Sequence, residues 1–270
     1  MPTGWPTYAT REHTRLKRGF IRAVEQITGR VALGRRYDRA LNSGDPAGFF
    51  GRVLRELKID VDLPVEHEAR IPAEGPLLVI ANHPFGVVDG LILCDLAVRR
   101  RGPFKILLHM GLTREPALQP YMLPVDMSSD DQAQKTNRTS IKAALQELRG
   151  GGTLLLFPAG GISTAVGLQG PITDLEWHPL VAKLFKSSRA PVLPVRFSGT
   201  NSRFFHTVSQ FSPTMRASIL LREQWSHRGA RVDVRIGDPI AWTDELRELD
   251  DAVLTRQLRQ TVYAIGREGE

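Results

Sequence analysis

The run Ala81-Asn82-His83-Pro84-Phe85-Gly86-Val87-Val88-Asp89-Gly90 holds the two residues best placed to move a proton. An imidazole titrates near working pH, so His83 suits general-base work on a hydroxyl. A carboxylate that accepts the other ring N–H fixes the tautomer and stabilises the charged ring, a part Asp89 could play. Five residues separate the pair. On a regular helix that spacing turns the two side chains about 240° apart. Pro84, however, disfavours helix at His83, and Gly86 permits dihedrals closed to other residues. A turn here would fold the pair together. Two plainer readings stand beside this one: Asp89 as only the N-cap of the helix that follows, and His83 as a buried ring bonded to backbone.

A second segment, Phe157-Pro158-Ala159-Gly160-Gly161-Ile162-Ser163, leaves another apolar run. A Pro followed by Gly-Gly exposes backbone N–H groups that can hold a phosphate or an oxyanion, with Gly160 and Gly161 the candidate donors. The plainer reading is an ordinary strand-to-helix turn. Ser163 is a rival nucleophile, but no G-x-S-x-G elbow surrounds it or any other serine. The histidines show no metal-binding spacing, and Walker A and G-x-G-x-x-G patterns are missing. The expectation is chemistry without a metal, nucleotide or redox cofactor.

Both segments need a scaffold that brings strand ends together. Leu77–Ala81 is wholly apolar, as in a strand buried on both faces. Lys105–Leu108, Leu123–Val125, Thr153–Phe157 and Val192–Phe197 read as further strands, and Val232–Ile236 as an edge or half-exposed one. Helical patterns fall at 90–98, 137–149, 179–187 and 251–265. Alternation of this kind predicts an α/β fold: a single layered domain with a central, largely parallel sheet flanked by helices. Ligands of such sheets bind beyond the carboxyl ends of the strands, where both segments lie.

Two amphipathic patterns precede the sheet. Leu16, Phe20, Val24 and Ile27 form one stripe. Phe49, Phe50, Val53, Leu54 and Leu57 form the other, behind a start at Asp45 and Pro46. Each can pack on a core or lie on an anionic membrane, and both readings stay open. The expected organisation is a basic helical segment over 1–65 and the α/β domain over 66–270.

The chain has 270 residues with a net charge of +7. Residues 1–60 hold 12 Lys/Arg against 6 Asp/Glu, so nearly all of the excess sits there. The near-neutral remainder argues against a nucleic-acid partner, which wants basic surface on the main body. A single cysteine rules out a disulfide framework. Met1–Thr10 lacks the apolar core of a secretory leader, which points to a cytoplasmic protein, peripheral on the cytosolic face of a membrane.

Taken together, Asn82-His83…Asp89, Phe157–Gly160 and Val192-Leu193-Pro194-Val195 resemble the first, third and fourth blocks of the lysophospholipid (glycerolipid) acyltransferase family. The His–Asp spacing is one residue longer than usual there, and Ala159 stands where the third block carries glutamate. Both departures are similar to a bacterial branch with NHPxGxxDG and FPAG signatures, hemolysin-like or ornithine-lipid-related. The resemblance implies transfer of a fatty acyl group from acyl-CoA or acyl-carrier protein to a hydroxyl of a lysophospholipid or related lyso-lipid. It implies His83 as general base and Asp89 as its orienting partner. Asn82, Gly86, Phe157, Pro158, Gly160, Gly161 and Ser163 would then line the substrates, with Arg138 or Lys135 as the second-block cation. Asp126, Trp177, His178, Arg196, Asn201 and Arg203 fall near the same edge, each read first as structural. The competing classes are an esterase that uses water and a non-catalytic binder of lipid or phosphate.

Overall fold

The computed structural model describes residues 30–266, apart from 113–115, 168–169 and 212. Its centre is a seven-stranded sheet in the order β1-β9-β8-β2-β5-β3-β4. These strands are β1 (Asp60–Asp62), β2 (Leu77–Ala81), β3 (Lys105–His109), β4 (Met122–Val125), β5 (Thr153–Leu156), β8 (Val192–Ser198) and β9 (Arg231–Ile236). Strands β8, β2, β5, β3 and β4 run parallel, while β9 is antiparallel to β8 and pairs in parallel with β1. A two-stranded hairpin, β6 (Thr164–Ala165) with β7 (Ile172–Thr173), projects after β5. The α/β expectation with a largely parallel sheet is met.

Strand β2 shows why an unbroken apolar run belongs at the centre. Leu77, Val79 and Ala81 face one core, and Leu78 and Ile80 the other. Side chains alternate across a strand, so a strand covered on both faces has no polar position to offer. The first core is covered by α1 (Arg30–Asn42), α2 (Phe49–Glu56) and α3 (Val87–Arg101). The second is covered by α4 (Asp131–Arg149), α5 (Leu180–Ser188) and α8 (Asp251–Ala264). Two further helices, α6 (Arg203–Phe211) and α7 (Pro213–Ser226), fill the connection from β8 to β9, a stretch with no helix in the sequence reading.

The start read at Asp45 is present: its side chain accepts from Ala47 N at 3.2 Å, ahead of Pro46. The apolar stripe behind it is in the core, with Phe49 1% and Leu57 2% exposed. Between core packing and membrane contact, this stripe takes the first. The stripe over residues 16–27 lies outside the described residues. Of the two readings of β9, the half-exposed one holds, with burial alternating along the strand; it is not an edge, because β1 covers its free side. No described helix is long and apolar enough to cross a membrane.

Candidate active site

The sheet register sets the site. Ile80 pairs with Leu156 and Ala81 with Val195. The residues just past these pairs, Asn82-His83 and Phe157-Pro158, therefore leave the sheet side by side. Asn82 extends the strand pairing with its side chain: Nδ2 donates to Phe197 O at 2.8 Å, and Phe197 N donates to Oδ1 at 2.7 Å. Its amide thus fixes the exit of β2 against β8, and it is 4% exposed.

The chain then turns. Gly86 sits at φ +86°, open to glycine and costly for other residues. A Cβ at this position would stand 2.7 Å from Ile162 Cδ1, so the turn also needs the close approach. Helix α3 begins at Val87, three residues earlier than its apolar pattern suggests. Asp89 lies in its first turn, where Oδ2 accepts from Phe85 N at 2.8 Å and Gly86 N at 2.9 Å. A carboxylate suits this end of a helix, where N–H groups lack partners and the dipole is positive.

The same oxygen stands 3.1 Å from His83 Nδ1. The capping role and the histidine contact, competing readings of Asp89 in the sequence, thus belong to one atom. Asp89 is fully buried, and burial pushes its carboxyl above the ordinary range. His83 and the two backbone donors oppose that rise. The His83 ring stacks on Phe157 at 3.9 Å between centroids and is 18% exposed at the side chain. Asp89 faces Nδ1 at ion-pair distance, though the angle there falls short of a hydrogen bond, which leaves Nε2 as the ring nitrogen to take a proton.

Every backbone polar group from His83 to Gly86 has a partner. His83 N donates to Asp174 Oδ1 at 3.1 Å, and His83 O accepts from Ser163 N at 2.8 Å. Pro84 O accepts from Asn201 Nδ2 at 3.0 Å, and Phe85 O from Gln224 Nε2 at 2.7 Å. Gly86 O accepts from Gly90 N at 3.3 Å. Buried backbone groups must be paired, and here four distant segments supply the partners. Asn201 is held in turn by His227, whose Nε2 lies 2.7 Å from Asn201 Oδ1. Burial lowers the His227 pKa, against the pull of Glu223 and Asp89.

The third-block segment divides by role. Phe157 forms the floor under His83, and Pro158 O accepts from His178 N at 2.9 Å. Gly160 N closes a turn onto Phe157 O at 3.0 Å, so this donor is spent and does not fit the oxyanion role. The Gly161 N–H has no bond to a described residue and remains the candidate. Ala159, in the family's glutamate position, packs toward the second core. Ser163 is 2% exposed and its Oγ donates to Asp174 Oδ1 at 2.5 Å, which makes it a tether and removes it as a nucleophile. Arg138 and Lys135 are both exposed on α4. Asn137 between them pairs with the backbone of Asp126, its Oδ1 and Nδ2 each at 2.8 Å.

Asp174, Gln224 and Asn137 were missed by sequence reasoning. Each is a polar residue bonded to the backbone of another segment, 91, 139 and 11 positions away, and no local pattern marks it.

A family model described as Acyltransferase matches residues 41–263. A lyso-glycine lipid O-acyltransferase of Bacteroides thetaiotaomicron is 25% identical over 214 residues, 77% of this chain and 76% of that protein. One of the same name from Phocaeicola vulgatus is 23% identical over 214 residues, 77% of this chain and 74% of its own. The crystal structure of the 1-acyl-sn-glycerophosphate acyltransferase of Thermotoga maritima aligns with a TM-score of 0.48 at 16% identity, covering 92% of this chain and 94% of that one.

Proposed function

The chain belongs to this acyltransferase family, and on that premise we propose that it moves a fatty acyl group from a thioester onto the hydroxyl of a lyso-lipid. The observation that carries the reading is the 3.1 Å approach of His83 Nδ1 to Asp89 Oδ2 at the carboxyl end of the central strand. His83 Nε2 takes the acceptor's hydroxyl proton. The oxygen attacks the thioester carbonyl, and Asp89 stabilises the charged ring. The Gly161 N–H faces the oxygen that gains negative charge. As the tetrahedral intermediate collapses, the C–S bond breaks and His83 returns the proton to the thiolate. The products are the acylated lipid and the free thiol of coenzyme A or acyl-carrier protein. This chemistry asks for no metal or redox cofactor.

The acceptor class follows the two lyso-glycine lipid acyltransferases to which the chain is similar. The enzyme works at the cytosolic face of an anionic membrane. Supporting this, six of the seven large apolar side chains exposed among the described residues lie on segments beyond the sheet's carboxyl edge: Met110, Leu112, Met127, Val166, Leu175 and Phe204. Scattered exposed apolar residues are ordinary, but a concentration at one edge marks an interaction surface. The excess charge over residues 1–60 adds attraction to anionic lipid.

The test is transfer of labelled acyl chains from acyl-CoA and from acyl-carrier protein to a panel of lyso-lipids, with products identified by mass. An acylated lipid whose formation stops in His83→Ala, with the fold intact, is expected. Wild-type transfer in that variant overturns the mechanism. Release of free fatty acid alone would make the enzyme an esterase.

A further inference from the structure

We propose that Asp174 is a positioning residue for His83, an inference that rests on the general-base reading above. Asp174 lies in the loop after β7 and is 3% exposed. Its carboxylate is filled by three donors from three segments. Oδ1 accepts from His83 N at 3.1 Å and Ser163 Oγ at 2.5 Å, and Oδ2 accepts from Trp177 Nε1 at 2.8 Å. Its own backbone is anchored to α8: Asp174 N donates to Tyr263 Oη at 2.9 Å, and Arg259 Nη2 donates to Asp174 O at 3.1 Å.

The arrangement around His83 is a closed ring of bonds. His83 N–H and the Ser163 hydroxyl meet on one oxygen of Asp174, and Ser163 N–H returns to His83 O at 2.8 Å. Both polar groups of the His83 backbone are therefore fixed through Asp174 and Ser163. Asp89 and Phe157 hold the imidazole itself. A side chain gripped at its tip still swings if its peptide is free. Asp174 removes that freedom and joins the first-block turn to the third-block loop. It touches no reacting atom, so its effect passes through His83. Displacing a catalytic group by about 1 Å costs about 100-fold in rate.

The Trp177 bond separates positioning from general stability. It uses the other carboxylate oxygen and leaves the His83–Ser163 ring untouched. The experiment compares Asp174→Ala, Ser163→Ala and Trp177→Phe in the full chain. It measures kcat and KM for both substrates, thermal unfolding, and the ring 15N signals of His83, assigned by difference from His83→Gln. Asp174→Ala removes the acceptor of both His83 N–H and the Ser163 hydroxyl, and it is expected to lower kcat about 100-fold with both KM values within about twofold. It is also expected to move the His83 ring signals. Ser163→Ala should do the same to a smaller degree, and it carries the test if Asp174→Ala does not fold. Trp177→Phe should lower the unfolding temperature while kcat and the His83 signals stay. If kcat falls only in step with stability across all three, and the His83 signals do not move, the proposal is overturned. If the wild-type protein transfers no acyl group, the general-base reading fails. The ring signals then decide alone: movement in Asp174→Ala upholds the positioning role, and no movement ends it.

Discussion

His83 and Asp89, six positions apart, meet at 3.1 Å because the helix between them begins late enough to leave a turn. The carboxylate oxygen that reaches the imidazole also caps that helix. Asp89→Asn keeps an acceptor for the two backbone N–H groups but removes the charge that holds the ring. Activity is expected to fall by about 10⁴-fold, as for the equivalent change in a hydrolase triad. An acyl-transfer assay under saturating substrates measures it, and a loss below tenfold would remove Asp89 from the mechanism.

The same variant has an opposite effect on stability. Burial raises the Asp89 carboxyl above its ordinary value of 3.8. A carboxyl raised in the folded state binds protons more readily there than in the unfolded chain. Its contribution to stability therefore falls as pH climbs from the ordinary value through the folded one. At pH 7 Asp89→Asn should unfold at a temperature equal to or above that of the wild type. The gap should narrow as pH falls toward 4, in thermal scans taken across that range.

His227 works with the reverse sign. Burial lowers its pKa below the ordinary 6.5, so the folded protein prefers the neutral ring. Stability from this group is present above pH 6.5 and is lost as pH falls through the folded value. His227→Gln keeps a donor toward Asn201 and cannot charge. Urea unfolding between pH 7 and 5 should show a shallower loss for the variant than for the wild type. Equal slopes would mean that His227 does not titrate with unfolding.

Gly86→Ala combines a left-handed φ of +86° with a Cβ 2.7 Å from Ile162 Cδ1. The expected cost is about 2 kcal/mol, from backbone strain of about 1 and a comparable steric term. Adding Ile162→Ala should relieve the steric part only. Chemical denaturation of the single and double variants checks this, and a fully neutral Gly86→Ala would show that the turn adjusts.

Asn82→Asp replaces a donor by an acceptor opposite Phe197 O, where Nδ2 now donates at 2.8 Å. A buried carbonyl left facing another acceptor costs about 1–3 kcal/mol. Asn82→Ala should be milder in stability, yet it also frees the exit of β2. Both are expected to lower kcat more than they raise KM.

Much of this was legible in the residues. Strand β2 reads as doubly buried because it has no polar position, and the turn after it because Pro84 and Gly86 exclude helix. The two blocks follow strands that the register then brings together. Illegible were the partners that make the turn rigid. Asn201 reads as structural with no contact to assign, and Asp174 and Gln224 carry no signal at all. Their bonds go to backbone atoms, which carry no sequence signature, from segments roughly 90 to 140 positions away. Gly160 shows the same limit: a glycine pair suggests free N–H groups, but the turn consumes one of them. The stripe on α2 could serve water, lipid or core by its pattern, and only the helices packed around it decide.

The bonding around His83 has a consequence for synthesis. A ribosome releases this histidine early, then Ser163 and Asp174, later Asn201 and Gln224, and last the Tyr263 that steadies Asp174. Chains emerge from the N-terminus onward. A nascent chain therefore carries both members of the His–Asp pair long before it owns the groups that aim them. The bonding around His83 is complete only once α8 has formed, so an unfinished chain holds the His–Asp pair without the anchor that steadies it.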